Sequence, residues 1–208
     1  MGINLGSMMN NMRSNATDNG VNALNLKKND VLNLTKKNPG LKKVILGAGW
    51  DVANIGQDFD LDIAAFLLNA NGKVQNIPDD VIFFNNMQGQ GICLEGDNRT
   101  GAGDGDDEKI SVDLDKLPAK CDKVIFALNI YDAVSRKQNF SKIKNAYIRI
   151  LNEDNGNKEI CRYNLSEDGG NNTALLFAEL QRVNGSWQFK AKGELLQATV
   201  KSLADMYK

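Results

Sequence analysis

Residues 146–151 read AYIRIL, and this short stretch alternates between two kinds of position. Successive side chains of a β-strand point to opposite faces, so Ile148 and Ile150 share one face. Tyr147 and Arg149 share the other face. A period of two with one wholly apolar face indicates a half-buried β-strand.

Similar segments recur along the chain from Val21 onward. The other apolar runs are VLNL (31–34), KKVILGAGW (42–50), LDIAAFLL (61–68), VIFF (81–84), KISVDL (109–114), KVIFALNIY (123–131), EICRYNL (159–165), TALLFAEL (173–180) and GSWQFKA (185–191). Clusters typical of turns separate them, including NPG (38–40), NANG (69–72), EDNGN (153–157) and EDGGNN (167–172). Many short strands at this spacing predict a mainly β fold, a β-sandwich of two antiparallel sheets with short helices.

The two ends of the chain differ from this pattern. Residues 1–20 are rich in Asn, Met, Gly and Ser without a sustained period, which predicts a flexible N-terminal tail before a single domain at 21–208. Residues 173–180 suit either a strand or a helix, and 138–145 suit a short helical turn. Residues 194–208 predict a C-terminal amphipathic helix packed on the sandwich. Its apolar face comprises Leu195, Leu196, Thr199, Leu203 and Met206.

The composition excludes several classes of function. The 208 residues carry a formal net charge of −1 and contain no histidine. We therefore expect no nucleic-acid partner, and no apolar run approaches the roughly 20 residues of a transmembrane helix. Without histidine, Ser-His-Asp and Cys-His catalysis and His-ligated zinc are excluded. The N-terminal sequence does not resemble a secretory signal, so we expect a cytoplasmic protein.

The cysteines do not suggest a site. Cys93, Cys121 and Cys161 are odd in number and far apart in sequence. This spacing suits buried reduced thiols better than a disulfide framework or a zinc site.

Carboxylates concentrate in two segments. In GQDFDLDI (56–63), Asp58, Asp60 and Asp62 share one face at the start of a predicted strand. In GDNRTGAGDGDDE (96–108), further oxygen-bearing residues lie among glycines; they are Asp97, Asn98, Asp104, Asp106, Asp107 and Glu108. Because like charges at such short spacing repel, either water solvates these loops or a cation holds them together.

The oxygen-rich composition favours Ca²⁺, which takes six to eight oxygen ligands, over Mg²⁺ or Zn²⁺. The segment is not an EF-hand, because Arg99, Gly101 and Ala102 occupy positions 3, 5 and 6 of a frame beginning at Asp97. A solvated acidic loop is the alternative interpretation.

Several of these segments together resemble the TerD family of tellurium-resistance and general stress proteins. They are PGLKKVILGAGWD (39–51), DFDLDIAAFLLNANGKV (58–74), GDNRTGAGDGDDEKISVDLDKLP (96–118), NFSKIKNAYIRI (139–150) and EICRYNLSED (159–168). The resemblance implies a β-sandwich that binds Ca²⁺ through the acidic loop. The matching ligand positions are Asp58, Asp60, Asp62, Asp97, Asn98, Asp104, Gly105, Asp106, Asp107 and Glu108, enough for two ions. Asp132 in IYDAV resembles a family Asp-Ala turn, either as a further ligand or as a turn cap.

Two functions are compatible with this pattern. The first is a calcium-binding, non-catalytic stress-response protein that acts as a Ca²⁺-dependent binding or scaffold module. Its expected partners are other stress-response proteins or a membrane-associated complex, with a peripheral membrane position as an alternative to a purely cytoplasmic one. The second is a metal-dependent phosphoester hydrolase that uses the same acidic cluster.

Overall fold

The computed structural model describes residues 23–53, 59–96 and 105–208. The strands are β1 Leu24–Leu26, β2 Val31–Asn33, β3 Lys43–Val52, β4 Leu61–Leu68, β5 Val81–Ile82, β6 Gln88–Gly89, β7 Ile92–Leu94, β8 Glu108–Asp113, β9 Lys123–Ile130, β10 Ile143–Asn152, β11 Lys158–Asn164, β12 Ala174–Val183 and β13 Ser186–Leu196. The helices are α1 Leu34–Lys37, α2 Ala133–Arg136 and α3 Val200–Met206, with 3₁₀ turns at Phe140–Lys142 and Glu153–Asn155.

The strands form two sheets. The A sheet has the order β1-β11-β10-β3-β8-β7-β6, and the B sheet has the order β2-β13-β12-β9-β4-β5. Neighbours pair antiparallel, except that β1 runs parallel to β11. The two sheets share one apolar core, in which Tyr163 of the A sheet packs edge-on against Phe177 of the B sheet with ring centroids 5.6 Å apart. The predicted mainly β fold with two antiparallel sheets is confirmed.

Strand β10 has the two faces that its sequence predicts. Ile148 and Ile150 are buried in the core between the sheets. Tyr147 and Arg149 lie on the outer face of the A sheet, where they make polar contacts. The apolar face thus fixes which side of β10 turns inward.

Strand β4 is apolar throughout because both of its faces are covered. Ile63 belongs to the core between the sheets. Phe66 points to the other side of the B sheet, where Leu203 and Tyr207 from the C-terminal segment pack over it. Strands covered on both faces carry continuous apolar runs rather than an alternating pattern.

The C-terminal helix is shorter than the sequence predicts. It begins at Val200 because Thr199 and Ser202 form a reciprocal capping box. Residues 194–196 instead continue β13, where they pair with 174–176 of β12. The prediction of helix over 194–199 is therefore wrong, while the region 173–180, which suited either structure, is a strand.

The strand register defines two ends of the sandwich. Ile130 pairs with Leu61 at one end of the B sheet, and Lys123 pairs with Leu68 at the other. We call the end that contains Leu61 and Glu108 the acidic end. The opposite end, which contains the turn between β12 and β13, is the hairpin end. No helix in the described ranges is long and apolar enough to cross a membrane.

Candidate functional site

Glu108 connects the two sheets at the acidic end. It is the first residue of β8, and its Oε2 accepts a hydrogen bond of 2.6 Å from the backbone N–H of Ile63 in β4. Its side chain faces inward because Ile110, two residues later on the same face, lies in the core. Glu108 is only 2% exposed, so its carboxylate acts strongly on close neighbours.

Asp60 and Asp62 occupy the start of β4. The apolar residues that alternate with them are buried in the core, as the spacing predicts. Asp62 is 4% exposed and lies opposite Asn129 of β9 in the strand register. The Oδ2 atom of Asp60 lies 3.9 Å from a guanidinium nitrogen of Arg136. The two carboxylates are thus fixed by a strand start rather than by a freely moving loop.

Asp107 is held against β3. Its backbone N–H donates to the carbonyl of Ala48, and its carboxylate accepts a hydrogen bond from the N–H of Trp50 at 2.9 Å. Burial raises the pKa of Asp107, the Trp50 hydrogen bond lowers it, and the nearby carboxylates of Asp51 and Asp106 raise it further. The net upward shift of the pKa thus comes mainly from burial, with a smaller part from the two neighbouring carboxylates.

Asp106 points instead to the outer face of the A sheet. Its carboxylate accepts two hydrogen bonds from Arg149, at 2.7 and 3.0 Å, and one from the Tyr147 hydroxyl at 3.0 Å. The carboxylate lies where a side chain at residue 47 would be, since a Cβ added to Gly47 would be 2.3 Å from its Oδ2. Gly49 makes the same kind of room for the Tyr147 ring. Asp106 therefore anchors the end of the acidic loop to the sheet.

The anchor belongs to a larger polar network. Arg149 also donates to Glu159 at 2.9 Å, and Glu159 accepts a second arginine, Arg162, which stacks 4.1 Å from the centroid of the Tyr147 ring. Burial lowers the pKa of Arg149, but its bonds to Asp106 and Glu159 outweigh that effect and raise it. Burial and the Asp106 carboxylate raise the pKa of Tyr147 to about 12. These shifts favour a protonated Arg149 and a neutral Tyr147 hydroxyl near neutral pH, so both can donate to Asp106.

Sequence reasoning missed the roles of Arg149 and Tyr147. The relevant signal is the GAGW motif (47–50) combined with the register, which places Arg149 opposite Gly47 and Tyr147 opposite Gly49. Gly47 and Gly49 have no side chains on the outer face where Arg149 and Tyr147 lie. This leaves space for the Asp106 carboxylate between the strands and these two residues. The pattern becomes visible only when the pairing of β3 with β10 is known.

Asp132 lies in a tight turn after β9. Its backbone is left-handed with φ of 49°, and its Oδ1 accepts a hydrogen bond from the Ser135 hydroxyl at 2.8 Å. Asp132 occupies the N-cap position of α2, but its side chain makes no capping hydrogen bond to the helix backbone, so both roles stay predictions. The preceding residue, Tyr131, packs edge-on against Phe84 and beneath Arg136. An aromatic surface thus adjoins the acidic end.

A groove that the sequence did not predict runs beside these residues. It has a volume of about 570 Å³ and lies between the B sheet and α3. Its lining includes Asp62, Phe83, Tyr131, Val200 and Lys208. A buried carboxylate thus lies in the wall of a largely apolar groove.

The predicted ligand positions fall into three groups. Asp58, Asp97, Asn98 and Asp104 lie outside the described residues. Asp60, Asp62, Asp107 and Glu108 lie at the acidic end, together with Gly105, whose φ of +106° suits glycine. Asp106 is bonded to Arg149. Within the described ranges alone, no three Asp, Glu or Cys side chains form a metal cluster. The calcium site therefore stays a prediction.

The chain is similar to known proteins over most of its length. The TerD domain family matches residues 23–207. The chain is 44% identical over 188 residues to tellurium resistance protein TerD of Serratia marcescens, covering 89% of this chain and 97% of that protein. It is 45% identical over 188 residues to general stress protein 16U of Bacillus subtilis, covering 88% and 96%.

A solved structure shares the fold. A homologue of telluride resistance protein (TerD) from Streptomyces coelicolor A3(2) superposes with a TM-score of 0.65, covering 81% of this chain and 99% of that one. The sequence identity is 24%, so this similarity concerns the fold alone.

Proposed function

Because this chain belongs to the TerD family of tellurium resistance and general stress proteins, we propose that it is a non-catalytic stress-response module that binds Ca²⁺ at the acidic end. The bound ions would create a surface for another stress-response protein or for a membrane-associated complex. The family membership supports the stress-response role, and the carboxylates of the acidic end support the proposal of a metal site.

One observation supports the metal site most directly: Asp62 and Glu108 are both nearly enclosed carboxylates at the acidic end. Asp62 lies on the α3 side of the B sheet, and Glu108 faces the space between the sheets. Enclosed carboxylates are costly unless positive charge or hydrogen bonds offset them. The pKa of Asp107 is raised as well, mainly by burial and also by the Asp51 and Asp106 carboxylates. The donors are all oxygens, which suits a hard cation such as Ca²⁺.

The proposed ligand set follows the sequence positions. Asp60, Asp62, Asp107 and Glu108 would hold the ions from the sandwich, and Asp58, Asp97, Asn98, Asp104 and the Gly105 carbonyl would complete the shell. Asp106 would contribute by fixing the loop through Arg149, because its two oxygens already accept hydrogen bonds. The ions would supply positive charge that relieves repulsion between the segments.

The surface beside the acidic end suits a partner. Tyr131 is partly exposed, and Val134 in α2 is 82% exposed, so apolar side chains face solvent next to the carboxylates. Ordering of the acidic loop by Ca²⁺ would complete this surface and make partner binding depend on the ion.

The phosphoester hydrolase that the sequence also allows is the weaker candidate. The relatives carry the names of resistance and stress proteins rather than enzymes, which supports a non-catalytic role. A hydrolase would require a nucleophile and general base at the acidic end. Asp106, one of the predicted ligands, is bonded to Arg149 and so is not available as a base.

Calorimetric titration of chelator-treated protein tests the proposal, first with Ca²⁺ and then with Mg²⁺. We expect saturable Ca²⁺ binding at more than one ion per chain, much weaker Mg²⁺ binding, and strong loss in Asp62→Asn and Glu108→Gln. Asp115→Asn is the matched control, because Asp115 is an exposed carboxylate at the hairpin end. The absence of Ca²⁺ heat in the unsubstituted protein would reject the metal site. Hydrolysis of a phosphodiester that required Asp62 would favour the enzyme.

A further inference from the structure

The hairpin end contains a cavity that is separate from the acidic end. It has a volume of about 660 Å³, within the range of small-molecule sites. Four connections supply its walls: the α1 segment with Thr35, the β6–β7 turn with Gly91, the β8–β9 connection with Leu117, and the β12–β13 hairpin with Arg182 and Trp187. The core of the sandwich separates it from the carboxylates discussed above.

Arg182 is the distinctive residue of this cavity. Two residues earlier in β12, Leu180 is buried in the core, so Arg182 continues the inward-facing side of the strand. Its cross-strand partner is Trp187, and the guanidinium carbon lies 4.8 Å from the centroid of the Trp187 ring. The stack fixes the guanidinium plane at the open end of the core.

Arg182 differs from the other described arginines in its partners. Arg149 and Arg162 each bond to a carboxylate, and Arg136 lies 3.9 Å from Asp60. Within the described part of the chain, no carboxylate lies within 4.0 Å of Arg182, and its buried Nε donates no hydrogen bond to these residues. A partly buried cation with no carboxylate within ion-pair distance is unfavourable, and an anion in the cavity would offset this cost.

The other charged residues of the lining are already paired. Asp115 lies 3.7 Å from the Lys42 ammonium, and Lys116 bonds to Asp113 at 2.9 Å. The Thr35 hydroxyl accepts the backbone N–H of Trp187 and keeps its own proton for donation. The polar side chains of the lining that remain for a ligand are the Arg182 guanidinium, the Thr35 hydroxyl and the exposed Gln90 amide, each of which can donate to an anion.

The rest of the lining is apolar and closely packed. Leu41, Leu114 and Leu117 are buried side chains that form part of the wall. Gly91 packs closely against the backbone of the β8–β9 connection: a Cβ added at this position would lie 2.6 Å from the backbone nitrogen of Leu117. This close packing fixes the β6–β7 turn against the β8–β9 connection, which are two of the walls of the cavity.

We propose that the cavity at the hairpin end binds a small organic anion, a carboxylate or phosphate group attached to an apolar body. The anionic oxygens pair with the guanidinium of Arg182 in the planar, two-pronged manner that distinguishes arginine from lysine. The apolar body lies against the leucines. This site requires no metal and is independent of the calcium proposal.

Nuclear magnetic resonance titration of the folded protein tests this inference, with the indole N–H of Trp187 as reporter and that of Trp50, at the acidic end, as internal reference. The probes are 3-phenylpropionate, phenyl phosphate and the uncharged 3-phenylpropan-1-ol, each added up to about 10 mM to cover millimolar dissociation constants. We expect saturable shifts of the Trp187 signal with the anions and not with the alcohol. The anion with the lower dissociation constant shows whether the cavity prefers a carboxylate or a phosphate group.

Three variants determine whether Arg182 is responsible. Arg182→Gln should weaken anion binding at least about tenfold. Arg182→Lys should weaken it less, because lysine keeps the positive charge but lacks the planar guanidinium that can bind two oxygens at once. Ala119→Trp, at the exposed rim, should block the cavity while Arg182 remains. Arg162→Gln is the control, since Arg162 also stacks on an aromatic ring but is paired with Glu159.

Three outcomes would overturn the inference. The first is the absence of saturable Trp187 shifts with either anion, the second is equal anion binding in Arg182→Gln, and the third is an equal response to the alcohol. An unchanged Trp50 signal shows that each variant is folded. The titrations are run in chelator and in Ca²⁺, and we expect the same affinity in both, so the result does not depend on the metal site.

Discussion

The guanidinium of Arg149 holds the carboxylate of Asp106 by two hydrogen bonds, at 2.7 and 3.0 Å, over the space left by Gly47. Asp106 lies near the end of the acidic loop, whereas Arg149 lies in the middle of a long strand. The pair therefore fixes the segment that contains Asp107 and Glu108 to the A sheet. Two-pronged pairs of this kind impose geometry as well as stability.

Removal of either partner should destabilise the protein and expose this coupling. Asp106→Ala and Arg149→Ala should each lower the free energy of unfolding by about 2 kcal/mol, because a hydrogen-bonded charge loses its partner. The double variant should lose less than the sum of the two, and urea unfolding measures all three. Strictly additive losses would show that the two side chains do not interact in solution.

Gly47→Ala should displace the Asp106 carboxylate, since the new Cβ would lie 2.3 Å from its Oδ2. We expect a loss of about 2 kcal/mol by urea unfolding, typical of overpacking. In an Asp106→Ala background, Gly47→Ala should lower the free energy of unfolding clearly less, because the carboxylate that clashes with the new Cβ is absent. Equal costs in the two backgrounds would contradict the role assigned to this glycine.

Calcium should raise the melting temperature if the acidic end binds it. At a hundredfold excess of ion over its dissociation constant, the expected stabilisation is about 2.7 kcal/mol. Asp62→Asn and Glu108→Gln should lose most of this gain, with Asp115→Asn retaining it. Differential scanning calorimetry in Ca²⁺ and in chelator provides the comparison, and identical melting in both conditions would argue against the site.

Acid should weaken the polar network through Glu159. Burial raises the pKa of this carboxyl, but its bonds to Arg162 and Arg149 lower it more, so the net shift is downward from 4.5. A carboxylate with a lowered folded pKa stabilises the protein above its unfolded pKa and loses that contribution as the pH falls through the folded pKa. Stability should therefore fall below about pH 4.5 more steeply than in Glu159→Gln. Urea midpoints from neutral to acidic pH, with exposed Glu153→Gln as control, measure the difference.

The cysteines should differ sharply in reactivity. Burial raises the pKa of Cys121 to about 11 and that of Cys161 to about 12, whereas Cys93 is partly exposed. Because the thiolate is the reactive form, a disulfide reagent near pH 8 should modify Cys93 first. Modification of the other two should require denaturant, and mass spectrometry identifies the sites. Rapid labelling of Cys161 in the folded protein would contradict its buried position.

The sequence predicted the sheet architecture because strand signals in this chain are local. The alternation in AYIRIL and the apolar run of β4 reflect which faces are covered, and both follow from neighbouring residues. The extent of the last helix did not follow, since residues 194–196 pair with a distant strand that overrides their helical spacing.

The site could be predicted only in part for the same reason. Acidic residues close in sequence identified the acidic end, but the anchor at Arg149 depends on its register with Gly47. Arg182 similarly attracts no notice in the sequence. Its isolation from carboxylates is a property of the folded hairpin end.

The length of the strands sets the separation of the two ends. Strand β3 runs for 10 residues from Lys43 near the hairpin end to Val52 near the acidic end, a distance of about 30 Å at the usual rise per residue. Occupants of the two ends would never touch, and a closely packed core would keep their spacing constant. The sandwich would then serve as a molecular ruler, able to hold one molecule at each end without competition between them.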